Sequence, residues 1–415
     1  VLTVPGVSGV TVLTVRTVRV PDPGPLLDLL PEAGAFAWVH DGEGMVAWGT
    51  AARIDAEGPE RFRLAQDWWQ AVAAAAQVDD DVRLPGTGLV AFGSFAFDPA
   101  LAGSVLVVPE VVVGQRDGVT WLTTIGVPAP ALVPAPPARA PEGLVVHDDP
   151  LAAAEWADSV AAAVARIESG ALDKVVLARD VHAHAAAPID LRWPLQRLAR
   201  DYPACWTFSV DGLLGATPEM LVRLCQGTAT SRVLAGTLRR TGDLTEDDRR
   251  GDAFPRSIKD VEEHGYAVGS VAEALRPHST SLDVPADPFV LELPNVMHLA
   301  SDVTATVEPG TTSLALVEAL HPSAAVCGTP TATAADAIRE LEPLLRGRYA
   351  GPVGWTDASG DGEWAIALRC AEVDAVDPAH LRLFAGCGIV AGSRPAEELA
   401  ESVAKLVPMR SALGV

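Results

Sequence analysis

Short strands joined by hairpin turns constrain this chain more than any other feature. CWTFSV, then Asp211-Gly212, then LLGA reads as two strands around a turn pair that favours hairpins. LVRLC continues as a strand after Thr217-Pro218-Glu219, and VGWTDASGDGEWAIALRCAEV reads as two strands around a Gly-rich turn. LRLFAGCGIVAG is a strand running into glycines. Hairpins dominate and regular βαβ units do not, so the expected class is α+β with antiparallel sheets.

Helices fall between these strands. Asp149 can cap a helix with Pro150 at its first position and an apolar stripe of Trp156, Val160, Ala163, Val164 and Ile167, ended by Gly170. KDVEEHGYAVGSVAEAL and PAEELAESVAKLV read as two more. Earlier in the chain, VTVLTVRTVRV, VAFGSFAF and VLVVPEVVVG read as strands, and Arg61 to Ala75 as a helix carrying Trp68 and Trp69. The stretch from Gly126 to Gly143 is rich in Pro and Ala, a linker or surface crossing between an N-terminal and a catalytic portion.

With 415 residues and 49% hydrophobic content, the chain can fill a large core. No apolar run reaches the ~18 residues of a membrane helix, and the first twenty residues lack the pattern of a secretory signal. A net charge of -23 argues against nucleic-acid binding. Five scattered cysteines without a CxxC pair suggest a reducing, cytoplasmic setting and no zinc site. Only three of the 31 basic residues are Lys: Lys174, Lys259 and Lys405. Arg cannot give up its proton, so a surviving Lys is a candidate for work that Arg cannot do.

Several residues could carry chemistry. Asp260 and Glu263 stand three apart on one helix, and Glu398 and Glu401 on another. Facing helices of this kind would offer four carboxylates suited to Mg²⁺. Spacing alone favours a solvated face, because Leu399, Val403, Leu406 and Val407 read as the core stripe of the last helix. Lys174 sits in a strand of Val, Leu and Ala, either at an edge or in a pocket where desolvation would make it a base. Glu219 follows a proline and can point into a cleft or simply belong to a turn. Arg369 shares an expected strand face with Ala365 and Ala367, with room for a carboxylate ligand or open to solvent. GCGIVAG is a weak dinucleotide-loop signal whose N–H groups could hold a carboxylate.

Ten blocks in order lie between residues 150 and 410: DKVVLARD, GATPEMLVR, LAGTLRR, KDVEEH, LPNVMHL, LHPSAAVCGTP, RYAGPVGW, GDGEWAIALRCAEV, FAGCGIV and EELAESVAKL. Together they resemble the chorismate-utilising enzymes, and within that family most closely the isochorismate synthases. Residues 1–145 carry little of the resemblance. It implies a single domain over 1–415, with a variable N-terminal portion at 1–145 and a core at 150–412, built as two packed antiparallel sheets with helices outside. It implies an isomerase that moves a hydroxyl from C4 to C2 of chorismate by adding water and expelling the old hydroxyl.

The resemblance assigns Lys174 as the base and Glu219 as the acid. Glu263 and Glu401 would ligate Mg²⁺, with Asp260 and Glu398 supporting through water. Family enzymes more often carry Glu where this chain has Asp260. Tyr349 and Arg369 would grip the enolpyruvyl carboxylate, Gly388 and Lys405 would border the ring carboxylate, and His298 would line the pocket with Ala235, Gly236 and Thr237. Anthranilate synthases usually have Gln at Lys174 and take ammonia from a glutamine amidotransferase partner, so no such partner is expected. Aminodeoxychorismate synthases typically have Lys at Ala235. Salicylate synthases share the Lys and Glu and are the alternative, although GWTDASGDGEWAIALR looks like the isochorismate synthase hairpin. A silent metabolite-binding protein is the alternative of a different class, and retention of both acid and base argues against it. The product could feed menaquinone or siderophore synthesis, and family members are often monomers.

Overall fold

Asp211 and Gly212 both take positive φ, 51° and 83°, and join strands Trp206–Val210 and Leu213–Thr217 in the expected tight hairpin. The structure, a computed structural model, describes residues 12–256, 258–292 and 296–415. Among these, the side chains at 235, 237, 239, 244, 256, 258–260, 262 and 263 also lie outside the description.

The first sheet extends from the hairpin in both directions. One side runs through Ala35–His40, Glu43–Trp48, Val111–Arg116, Val119–Ile125 and Thr14–Arg19 to Gln77–Asp80. The other runs through Cys370–Val373, His380–Ile389 and Lys174–His184 to Val145–His147. A second sheet contains Val296–Val307, Thr228–Arg239, Met220–Cys225, Gly362–Ile366, Pro352–Asp357 and Val90–Ser94 in neighbouring order. Among the described residues pairing is antiparallel apart from Thr14–Arg19 with Gln77–Asp80, which run parallel. The expected α+β class with two antiparallel sheets therefore holds, with that one exception.

Large aromatic side chains fill the core between the sheets. Trp38, Trp121, Trp355, Trp364, Phe92, Phe95 and Phe208 are fully buried, and each such side chain stabilises the fold by roughly 1.5–3 kcal/mol. Helices cover the outer faces. Helix Pro150–Glu168 starts as expected, with the Asp149 carboxylate accepting from Leu151 N at 2.9 Å. Its Trp156, Val160, Ala163 and Ile167 are buried. Helix Arg61–Ala75 has its expected bounds and buries both tryptophans.

The Pro-rich stretch at 126–143 contains no helix or strand. Strands from either side of it share both sheets: Ala35–His40 pairs with Trp206–Val210, and Val90–Ser94 with Pro352–Asp357. The stretch is thus a crossing between strands of common sheets.

Two neighbouring strands change sheet at one place, and this positions the site. Leu213–Thr217 pairs with Cys370–Val373 in the first sheet, while Met220–Cys225 pairs with Gly362–Ile366 in the second. Pro218 and Glu219 span one change, and Ala367, Leu368 and Arg369 span the other. Proline has no N–H to continue a ladder. Arg369 bends the backbone through a left-handed φ of 49°, a conformation that costs on the order of 1 kcal/mol outside glycine. The expected strand face shared by Ala365, Ala367 and Arg369 does not exist, because the strand ends at Ile366.

Candidate active site

The two sheet changes open a cavity of about 230 Å³. Lys174 reaches it from the start of strand Lys174–His184, and Gly388 from the end of His380–Ile389. Glu219 and Arg369 enter from the two crossings, and Glu398, Glu401 and Lys405 from helix Pro395–Leu413. His298, Tyr349 and Gly236 complete this set of expected residues. Ala235 and Thr237 belong to strand Thr228–Arg239, and Asp260, Glu263 and Lys259 to helix Ile258–Leu275. The side chains of these five lie outside the described residues.

Glu219 is held by its backbone. Its carbonyl accepts from Ile366 N at 3.0 Å, and its own N–H donates to Thr217 Oγ1 at 3.3 Å. The residue is 8% exposed. Burial pushes its carboxyl up to about 7, against the opposing pull of Lys174, Arg369 and Lys405. Desolvation thus outweighs three cations, and near neutral pH the group can hold or release a proton. A carboxyl in this range can serve as a general acid or a general base.

Cationic and polar groups face it. Lys405 Nζ donates to the Gly386 carbonyl at 2.9 Å and pairs with Glu401 Oε1 at 2.6 Å. The Tyr349 ring stacks on Phe384, with centroids 5.0 Å apart and planes 11° from parallel. Burial raises the Tyr349 phenol above its ordinary range, so it stays a hydrogen-bond donor. Gly386 keeps room for that phenol, since a Cβ there would stand 3.0 Å from Tyr349 Oη. Gly236 takes φ 76° at a bulge in strand Thr228–Arg239. Its carbonyl lies 3.3 Å from His298 Nδ1. A carbonyl only accepts, so Nδ1 carries the proton. Burial lowers that imidazole to about 3, which keeps it neutral.

The last helix departs from its expected wheel. Val403 and Val407 are exposed, while Ser402, Leu406, Met409 and Leu413 are buried. The stripe expected to be apolar therefore turns partly outward. Glu398, Glu401 and Lys405, expected on the solvated side, line the cavity instead. Side-chain oxygens of Glu398 and Glu401 and the Cys387 sulfur lie within 4.8 Å of one another. Burial pushes the Cys387 thiol up to about 12, and it donates to the Glu398 main-chain carbonyl at 3.3 Å. The donors available to an ion are therefore carboxylate oxygens, a set that fits a hard cation such as Mg²⁺.

Arg346 and Ser393 also line the cavity and were not among the expected residues. Arg346 Nε donates to Glu342 Oε2 at 2.9 Å, Nη2 to the Val176 carbonyl at 2.7 Å and Nη1 to the Val326 carbonyl at 2.9 Å. It stacks over Phe97, 4.2 Å from the ring centroid, and so braces the cavity wall from behind. The helix ends at Leu341, so the Glu342–Arg346 pair is made by irregular backbone, and no periodicity in the sequence marks it. Ser393 Oγ accepts from Val390 N at 3.1 Å and closes the turn into the last helix.

Comparison with known proteins places this arrangement. The family model described as "Chorismate binding enzyme" matches residues 30–135 and 131–414. Isochorismate synthase DhbC of Bacillus subtilis is 41% identical over 273 residues, covering 63% of this chain and 68% of that protein. The salicylate biosynthesis isochorismate synthase of Pseudomonas aeruginosa is 34% identical over 410 residues, covering 91% of this chain and 84% of that protein. The structure of MenF, the menaquinone-specific isochorismate synthase from Escherichia coli, superposes with a TM-score of 0.80 at 24% identity. It covers 97% of this chain and 94% of that one, a likeness of fold. Matched along nearly all of its length, this chain is a member of the chorismate-binding enzyme family.

Proposed function

We propose that the chain is an isochorismate synthase, an isomerase that converts chorismate reversibly to isochorismate. The observation that carries this reading is the buried Glu219, with its carboxyl near 7, facing Lys174 across a cavity edged by Arg369 and Lys405. Relatives named isochorismate synthase support it over most of the chain.

The chemistry follows from the residues. Lys174, acting as the base, takes a proton from water as the oxygen bonds to C2 of the ring. The ring double bond shifts and the C4–O bond breaks. Glu219 gives its proton to the departing hydroxyl, which leaves as water. Lys174 ends protonated and Glu219 ionised, and the reverse reaction uses each in the opposite role. Arg369 and Tyr349 suit the enolpyruvyl carboxylate, and Lys405 with the Gly388 backbone suits the ring carboxylate. His298, neutral with Nδ1 tied to Gly236, orients that wall.

A doubly charged anion entering a protein of net charge -23 needs local compensation. Glu263 and Glu401 would hold Mg²⁺, with Asp260 and Glu398 supporting through water; of these, Glu398 and Glu401 line the cavity. The ion would then supply positive charge at a substrate carboxylate. Ammonia and an amidotransferase partner have no role in this reaction. We place the reaction in a reducing compartment, the cytoplasm, which five unbridged cysteines support. No helix among the described residues is long and apolar enough to cross a membrane.

Incubation with chorismate and Mg²⁺, followed by chromatography and a coupled pyruvate assay, tests the proposal. The expected product is mainly isochorismate, formed reversibly with little pyruvate. Stoichiometric pyruvate and fluorescent salicylate would instead make the chain a salicylate synthase.

A further inference from the structure

Strand Lys174–His184 keeps His380–Ile389 along one edge from Val175 to its end. Its other edge has strand partners only at its two ends. Thr329 and Gly328 pair with Lys174 and Val175, and Val145–His147 pairs with His182, Ala183 and His184. Val176 and Ala178 lie in the gap between, where no strand among the described residues continues the ladder.

Other groups take the place of that strand. Val176 N–H donates to the Cys327 carbonyl at 2.8 Å. The Val176 carbonyl accepts from Arg346 Nη2 at 2.7 Å, and Ala178 N–H donates to Glu342 Oε1 at 2.7 Å. Arg346 Nε closes the pair on Glu342 Oε2 at 2.9 Å. One guanidinium and one carboxylate thus supply the donor and the acceptor that a neighbouring strand would have presented.

The same arginine reaches two more parts of the cavity. Its Nη1 donates to the Val326 carbonyl at 2.9 Å, and its main-chain carbonyl accepts from Tyr349 N at 3.0 Å. Arg346 therefore joins the strand two residues beyond Lys174, the wall at Val326 and the turn that carries Tyr349. The side chains of Arg346 and Glu342 are each 2% exposed. Burying two charges is costly, and an apolar pair of similar volume often stabilises a fold at least as well. An apolar pair cannot, however, hold two carbonyls and an amide at fixed angles, and neither can the compact ammonium of a lysine.

We propose that Arg346 and Glu342 are positioning residues for the base. They splint the strand that carries Lys174 and set where its side chain enters the cavity, without touching the reacting atoms. The inference rests on Lys174 being the base of the proposed reaction.

Two measurements on the full chain test it, one of them independent of turnover. Arg346→Lys keeps the charge and loses the fork. Amide hydrogen exchange followed by mass spectrometry should quicken about tenfold over residues 174–181 and stay unchanged in strand Val119–Ile125, which the pair does not touch. With chorismate, kcat should fall about 10- to 100-fold while KM changes less than about threefold, the pattern of a misplaced group and not of a lost contact. Glu342→Asp, which draws the carboxylate back from Ala178, should act in the same direction. Guanidinium added at low millimolar concentration to Arg346→Ala should restore part of kcat, and methylammonium should not. Unchanged exchange over 174–181 would overturn the splint. So would exchange that quickens evenly along the chain, which would make the pair a general stabiliser. A raised KM with normal kcat would also overturn it, because Arg346 would then hold substrate directly. A wild-type chain inert toward chorismate would sink the proposed reaction, whereas the exchange measurement would still decide the splint.

Discussion

Lys405 Nζ lies 2.6 Å from Glu401 Oε1 and 2.9 Å from the Gly386 carbonyl, so one ammonium pins the last helix to the strand flooring the cavity. It balances a carboxylate while remaining positioned for a substrate carboxylate. Lys405→Met should raise KM for chorismate about tenfold, the scale of one charge-assisted hydrogen bond. The Mg²⁺ concentration at half-maximal activity should fall, because the ammonium no longer competes for Glu401. Steady-state kinetics across Mg²⁺ concentrations reads both effects, and an unchanged KM would take Lys405 away from the substrate.

Glu219 links activity to stability through one group. Glu219→Gln should lower kcat by roughly 10²–10⁴. Folding raises this carboxyl from its ordinary 4.5 to about 7, so the folded state binds the proton more tightly than the unfolded one. Its contribution to stability is therefore greatest below pH 4.5 and is lost as pH rises through 7. Above pH 7 the buried charge costs up to about 3 kcal/mol. Denaturant unfolding at pH 8 should find Glu219→Gln more stable than the wild type, with the difference fading toward pH 4.5. Equal stability at both pH values would mean that the carboxyl is solvated.

Lys174→Arg preserves charge and removes the ability to give up a proton. We expect kcat to drop by about 10²–10⁴ with a smaller change in KM. Near-normal turnover would assign the base elsewhere.

Metal dependence has its own check. Chelation should abolish turnover and Mg²⁺ should restore it. Glu401→Gln should raise the Mg²⁺ requirement more than tenfold, and Glu398→Gln should raise it less. Turnover that persists through complete chelation would remove the ion from the reaction.

Turn chemistry and capping were legible in the sequence because they are local. Asp211-Gly212 encodes its own backbone angles, and Asp149-Pro150 its own helix start. The residues around the cavity were legible through ordered motifs. The sheet change at Ala367–Arg369 was hidden because burial runs unbroken through Trp364, Ala365, Ile366 and Ala367. No alternation signals where that strand ends. The face of the last helix was misread for a related reason: its cavity side is polar, so an apolar stripe does not mark where it packs. The parallel pairing of Thr14–Arg19 with Gln77–Asp80 depends on a partner distant in sequence, which strand propensity does not name.

The double change of sheet also sets the order in which this molecule can become active. Either sheet alone would hold its own hydrogen-bond ladders and look largely native in backbone spectroscopy. Glu219 and Arg369 meet only when both pairs of crossing strands have joined the two layers, long-range contacts that form slowly because long loops must close first. Turnover regained after dilution from denaturant should therefore lag the far-ultraviolet signal, and the enzyme's own catalysis becomes a clock for the final docking of its two halves.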